Sequence, residues 1–150
     1  MTEPAPVVGG ETFTYRFEAT TGLSQATIKL EADGKGGFNV TADPLGGFAA
    51  QHVDADLADG RNQIKLYYLG KLWLEPSARH VGAKTLVGNV TEQAMKNGWP
   101  VFVVADKNGA AGKRYYHTTT GFLVTLEIPV GGGAYRGALI GSSMAELAPN

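Results

Sequence analysis

The stretch RYYHTTTGFLVTLEI, residues 114–128, decides the fold class. Thr118, Thr119, Thr120 and Gly121 have the composition of a type I turn closed by a glycine bulge, the glycine supplying a left-handed conformation. On either side apolar and polar residues alternate, the period of a strand with one buried face. In the bulged register Thr118 opposes Phe122, Tyr116 opposes Val124 and Arg114 opposes Leu126. Phe122, Val124, Leu126 and Ile128 then form the apolar face, Tyr116 points inward and His117 outward. A tighter two-residue turn pairs His117 with Phe122 and reverses the faces, because one residue of slip exchanges them. The bulged register is preferred, and it makes His117 a surface residue rather than a catalyst.

The same alternation runs through the rest of the chain. In FTYRFEA, Phe13, Tyr15 and Phe17 share one face, and in ATIKLEA, Ala26, Ile28 and Leu30 do. FNVTA (38–42) follows the turn DGKGG (33–37), which gives three strands in meander order. NQIKLYYLGKLWLEP (62–76) is apolar on both parities, which predicts a strand bent at Gly70 or a strand pair covered on both sides. KTLVGNV (84–90) reads as a strand. TEQAMKNG (91–98) is the helical candidate, with Thr91 as cap and Gly98 as stop, or else a bulged loop. A strand over 101–105, a turn at 107–109, the hairpin and a last strand in AYRGALIGS complete the chain. The prediction is an all-β protein, an antiparallel meander forming an up-and-down barrel or a strongly curved half-barrel sheet. Residues 1–10 read as a flexible lead-in, 11–143 as a single β domain and 144–150 as a tail.

Composition narrows the function classes. A chain of 150 residues with 43% hydrophobic residues has enough apolar surface for one core. A net charge of −1 without a basic run gives no footprint for nucleic acid. The absence of cysteine removes disulfides, thiolate metal sites and thiol nucleophiles. No apolar run has the length of a membrane span, and none reads as a leader peptide. His52, His80 and His117 each stand alone, so no metal is expected. Asp54, Asp56 and Asp59 do not place the third acid at the spacing of a calcium loop, and Lys65 stands where its closing glutamate belongs. GAAGKR (109–114) has neither the spacing nor the following helix of a phosphate loop. No cofactor is expected.

The aromatic residues lean toward a site. Tyr67, Tyr68, Trp73, Trp99, Tyr115 and Tyr116 fall in the middle and C-terminal strands, where they either fill the core or line a cavity on the concave face. Four are the candidate ligand contacts. Tyr68 shares the parity of Ile64 and Leu66, and Tyr116 that of Phe122. Trp73 and Trp99 stand beside the breaks at Pro76 and Pro100, although Trp73 has the opposite parity to Tyr68 unless Gly70 carries a bulge.

Over residues 84–142 the sequence resembles β-rich bacterial envelope domains, lipoprotein-like half-barrels. The resemblance rests on GWPVFVVADKNG followed by RYYHTTTGFLVTLEI. It implies a non-enzymatic soluble domain, periplasmic or extracellular with the cytoplasm still open, that binds an apolar small molecule, a lipid or a protein partner. The first expectation is an apolar or amphipathic ligand held in the curve of the sheet. The alternatives are an interaction module that pairs through a sheet edge and a small β-barrel enzyme acting on an apolar substrate.

Overall fold

The computed structural model describes residues 4–19, 22–43, 50–57, 64, 66–105, 112–130 and 133–144. The turn expected at 107–109, the residues after Asp43 in DPLGG, Asp59, Lys65 and all but the first residue of the expected tail lie outside them. The strands are β1 (Thr12–Ala19), β2 (Gly22–Ala32), β3 (Phe38–Asp43), β4 (Gln51–Val53), β5 (Lys84–Thr85), β6 (Gly88–Lys96), β7 (Trp99–Ala105), β8 (Lys113–His117), β9 (Leu123–Val130) and β10 (Gly133–Ser142). They form one sheet in the order β4-β3-β2-β1-β10-β9-β8-β7-β6-β5, and every pairing is antiparallel. β1 and β10 meet in the centre. β4 and β5 stand at opposite edges, so the sheet is open: the curved half-barrel, not the closed barrel.

Alternation sets the faces. Phe13, Tyr15 and Phe17 of β1 are buried, as are Ala26, Ile28 and Leu30 of β2. This inner face needs a cover, and the chain supplies it. β4 and β5 lie at opposite edges, so the segment between them has to cross the sheet, and it does so over the inner face. Tyr67 stacks on Phe17 with ring centroids 4.8 Å apart. Trp73 forms an isolated bridge with Phe122. Leu74 N–H donates to Gly121 O, and Leu123 N–H donates to Leu72 O. Leu57, Ile64, Leu69, Leu72 and Leu74 of the crossover are buried with the sheet residues in one core.

The sequence predicted a bent strand or a covered strand pair over residues 62–76, but the described ones, 64 and 66–76, form no strand of the sheet. The described part has only the bridges Ile64↔Gly70 and Trp73↔Phe122. Its apolar residues occupy both parities because the segment turns sharply within itself. Tyr67 and Tyr68 have φ of 49° and 59°, and Gly70 follows at 71°. Two left-handed tyrosines cost on the order of 1–3 kcal/mol each. Side chains of β8 hold the turn in place. The Arg114 guanidinium donates to Tyr68 O and Leu69 O, and the Tyr116 hydroxyl donates to Lys71 O.

Residues 91–98 are not helical. They are the end of β6 and a hairpin turn. Asn97 and Gly98 have φ of 53° and 83°, and Lys96 pairs with Trp99 across them. This is a type I′ connection, which favours Asn-Gly. Nor are residues 91–98 a bulged loop: the one irregularity is a register shift between Val90 and Glu92, inside the strand.

The hairpin at 118–121 keeps the predicted Arg114↔Leu126 pair, but Tyr116 opposes Leu123, with a register shift between Tyr115 and Tyr116. His117 N–H donates to Phe122 O, as in the tighter alternative. The irregularity restores the faces, and Tyr116 still points inward, fully buried. Gly121 has the expected positive φ, 80°. His117 accepts the Thr119 and Thr120 N–H groups at Nδ1. Partial burial, with Arg79 nearby, lowers its pKa and favours the neutral ring that these bonds require.

The edge strand β4 is fastened by a lone histidine. Asp33 accepts Lys35 N–H and Gly37 N–H within its own turn and meets His52 Nε2 at 2.7 Å. The His52 contact first, then these backbone bonds, hold the Asp33 carboxyl below its ordinary pKa.

Candidate functional site

The outer face opens where the β6–β7 hairpin curls over β9. Asn97 Nδ2 donates to Thr125 Oγ1 at 3.2 Å, and Lys96 Nζ lies 3.4 Å from Glu127 Oε2. Lys96 also sits over the Tyr115 ring, 5.1 Å from its centroid. The curl covers part of the outer face of β7, β8 and β9, which is why Val101, Val103, Tyr115 and Thr125 are buried along with their inward-facing neighbours.

Between the hairpin tip and β1, β9 and β10 lies a groove of 710 Å³. Trp99, Asn97 and Lys96 stand on one side, and Arg16, Glu18 and Arg136 on the other. Thr125, Ala138 and Ile140 also line it. The volume is within the range of ligand sites, roughly 300–1,000 Å³.

Glu127 organises the charges. Its carboxylate accepts the Tyr115 hydroxyl at 2.6 Å, meets Lys96 and lies 3.7 Å from Arg136 Nε. Burial pushes its pKa up, but the Tyr115 bond, Lys96 and Arg136 together outweigh that and hold it below the usual range. Burial, then Glu127, raises the Tyr115 hydroxyl, so Tyr115 stays a donor. Arg16 is exposed and has no ion pair among the described residues. Three cations and two carboxylates line the groove, so it is weakly positive on a chain whose net charge is −1.

The four candidate aromatics share neither this groove nor a second hollow. Trp99 lines the groove. Its ring meets His117 edge-on, with centroids 5.4 Å apart. Trp73 borders the second hollow, of 550 Å³, with Pro4, Pro6 and Arg79. It is 2% exposed, and its indole N–H donates to Thr120 O. Tyr116 is in the core, its hydroxyl used by Lys71 O. Tyr68 is 44% exposed and packs edge-on against Tyr135, at 4.9 Å. The residues that sequence reasoning missed are Arg16, Thr125, Glu127 and Arg136. Each looked like an ordinary outward position of an alternating strand, and only the β1–β10 pairing of the chain's two ends brings Arg16 beside Arg136.

Among the described residues no group of three or more His, Asp or Glu could hold a metal ion, and no helix is long and apolar enough to cross a membrane.

No protein family matches the sequence, and no curated protein does. Among solved structures the chain has a weak resemblance to MucB in the crystal structure of MucB in complex with MucA(peri). The TM-score is 0.45 at 12% identity, over 95% of this chain and 54% of that chain. The chain thus spans about half the length of the MucB chain.

Proposed function

We propose that this is a non-catalytic interaction domain that receives an extended segment of a partner protein in the outer groove, with Trp99 as its apolar anchor. One observation carries the reading: the two faces of the sheet are in opposite states. The inner face, where an apolar ligand would lie in a half-barrel, is occupied by the chain's own crossover. The outer face carries an open groove with an aromatic side chain, a hydrogen-bonding threonine and an arginine, Arg16, that has no ion pair among the described residues. Aromatic and arginine side chains are the residue types that dominate protein–protein contacts. An envelope location belongs to the same proposal and is carried over from the resemblance of residues 84–142.

Site-specific photo-crosslinking in the native cell tests it. A photoreactive phenylalanine at Ile140, within the groove, is expected to yield one discrete protein adduct. The same probe at Val81, which is more exposed than Ile140 (56% against 36%) but lies outside the groove, is expected to yield none. Arg16→Glu should diminish the Ile140 adduct several-fold without changing the melting temperature. Equal labelling from both probe positions would reject the groove as the contact surface.

A further inference from the structure

Strand β6 outruns its neighbour on the open side of the sheet. β5 pairs only Lys84 with Asn89 and Thr85 with Gly88. The chain before it reaches one position further, where Gly82 N–H meets Val90 O and Val90 N–H meets Ala83 O. Beyond Val90, β6 is paired among the described residues with β7 alone.

The hairpin turn fixes which backbone groups this leaves open. In a two-residue connection the residues flanking the turn, Lys96 and Trp99, form a hydrogen-bonded pair, and bonded and non-bonded pairs alternate from there. Ala94↔Val101 and Glu92↔Val103 are then bonded pairs, while Met95↔Pro100 and Gln93↔Phe102 are not. Pro100 agrees with this phase. It has no N–H to give, and its carbonyl accepts Thr118 N–H on the far side of β7, at 3.0 Å. The N–H and C=O groups of Gln93 and Met95 therefore point away from β7. Among the described residues nothing meets them. Met95 is also 68% exposed, one of the most exposed large apolar side chains of the sheet.

We infer that this edge pairs with the same edge of a second copy of the chain, antiparallel and two-fold symmetric about Ala94. In that register Gln93 opposes Met95 of the second copy. Both point outward, so each of the two symmetric pairs exchanges both of its N–H···O bonds. Glu92 opposes Lys96 of the second copy, and the converse pair follows by symmetry. These are the non-bonded positions, where facing side chains stand closest. Glu92 is exposed and has no ion pair among the described residues. The Lys96 side chain is 32% exposed at 3.4 Å from Glu127, so it can face a second carboxylate. Centring the pairing on Gln93 or on Met95 instead leaves Lys96 without an acidic residue opposite. Charge complementarity thus selects one register and one occupant. The contact is a single short strand pair, below the area of a standard interface, so the dimer is weak and concentration-dependent.

Sedimentation velocity of the full chain, from micromolar to millimolar concentration, is the test. The expected result is a rise from 15.8 kDa toward twice that mass. Glu92→Lys and Lys96→Glu, each checked for unchanged circular dichroism, should each weaken association roughly tenfold or more, because like charges then face each other twice. The double variant Glu92→Lys/Lys96→Glu should restore it. Amide exchange should slow with concentration at Gln93 and Met95 and stay constant at Ala94. A chain that stays monomeric at millimolar concentration overturns the proposal. So does a dimer indifferent to the single charge reversals, or one that the double variant does not restore. Protection of Gln93 and Met95 seen only when another protein is added would assign the edge to a foreign strand and also overturn it.

Discussion

Gly121→Val is expected to lower stability by about 3–5 kcal/mol, with a fall in melting temperature on the order of 10 °C for a chain of this length. Two costs combine at one position. At φ 80° a β-branched residue is strained, which contributes roughly 1–3 kcal/mol. The new Cβ would also lie 2.5 Å from Leu74 O and against the Arg79 guanidinium. Overpacking of this kind typically adds about 1–3 kcal/mol. Neither neighbour can retreat without loss. Leu74 N–H donates to Gly121 O, and Arg79 donates to Leu74 O, Thr119 O and Thr120 O. The hairpin tip and the crossover are joined there, so relieving the clash means parting them. Thermal and urea unfolding check this, and a loss below about 1 kcal/mol would show that the joint yields cheaply.

Arg114→Met should cost about 2–4 kcal/mol. Arg114 is buried and has no carboxylate partner among the described residues. Its charge is solvated by carbonyls, Nε donating to Leu69 O at 3.0 Å and Nη2 to Tyr68 O at 2.9 Å. Methionine keeps most of the aliphatic volume and removes both bonds. Bonds to a charged group contribute roughly 1.5–3 kcal/mol each. Releasing a buried cation from its desolvation penalty returns part of that. The loss outweighs the return because the freed carbonyls belong to a turn that already holds Tyr67 and Tyr68 in left-handed conformations. Gly70 has its own stake in the contact, since a Cβ there would lie 2.6 Å from Arg114 Nε. Chemical denaturation gives the magnitude. Faster amide exchange confined to residues 67–71 would identify the turn as the part that loosens. A variant as stable as the parent would mean that desolvation and hydrogen bonding cancel at this site.

The strands could be read from the sequence wherever one face is buried and the other wet. Phe13, Tyr15 and Phe17 give β1 its face without further information, and Gly121 gives the hairpin its turn. Reading failed where burial was two-sided or tertiary. Residues 62–76 are apolar on both parities and so read as a bent strand or a covered strand pair, yet the backbone of the described ones is met by the side chains of Arg114 and Tyr116 as well as by isolated bridges. No local pattern announces such partners. Residues 91–98 were misread for a different reason. Glu92, Gln93, Ala94, Met95 and Lys96 are good helix formers, and Gly98 resembled a helix stop. The dipeptide Asn97-Gly98 was the stronger signal, because it is the preferred pair for a type I′ turn. Of the groove, Trp99 beside the break at Pro100 was legible. Arg16 and Arg136 were not, since the pairing of β1 with β10 joins residues more than a hundred positions apart and leaves no trace in alternation.

Native mass spectrometry of the protein isolated from its own source tests the central claim most directly, namely that the chain fills its own inner face and leaves the outer groove to a partner. The account predicts an ion combining this chain with a second polypeptide, no small-molecule adduct on the chain released from it, and loss of the second polypeptide in the Arg16→Glu variant. A stoichiometric adduct of an apolar small molecule, retained in that variant, would contradict it.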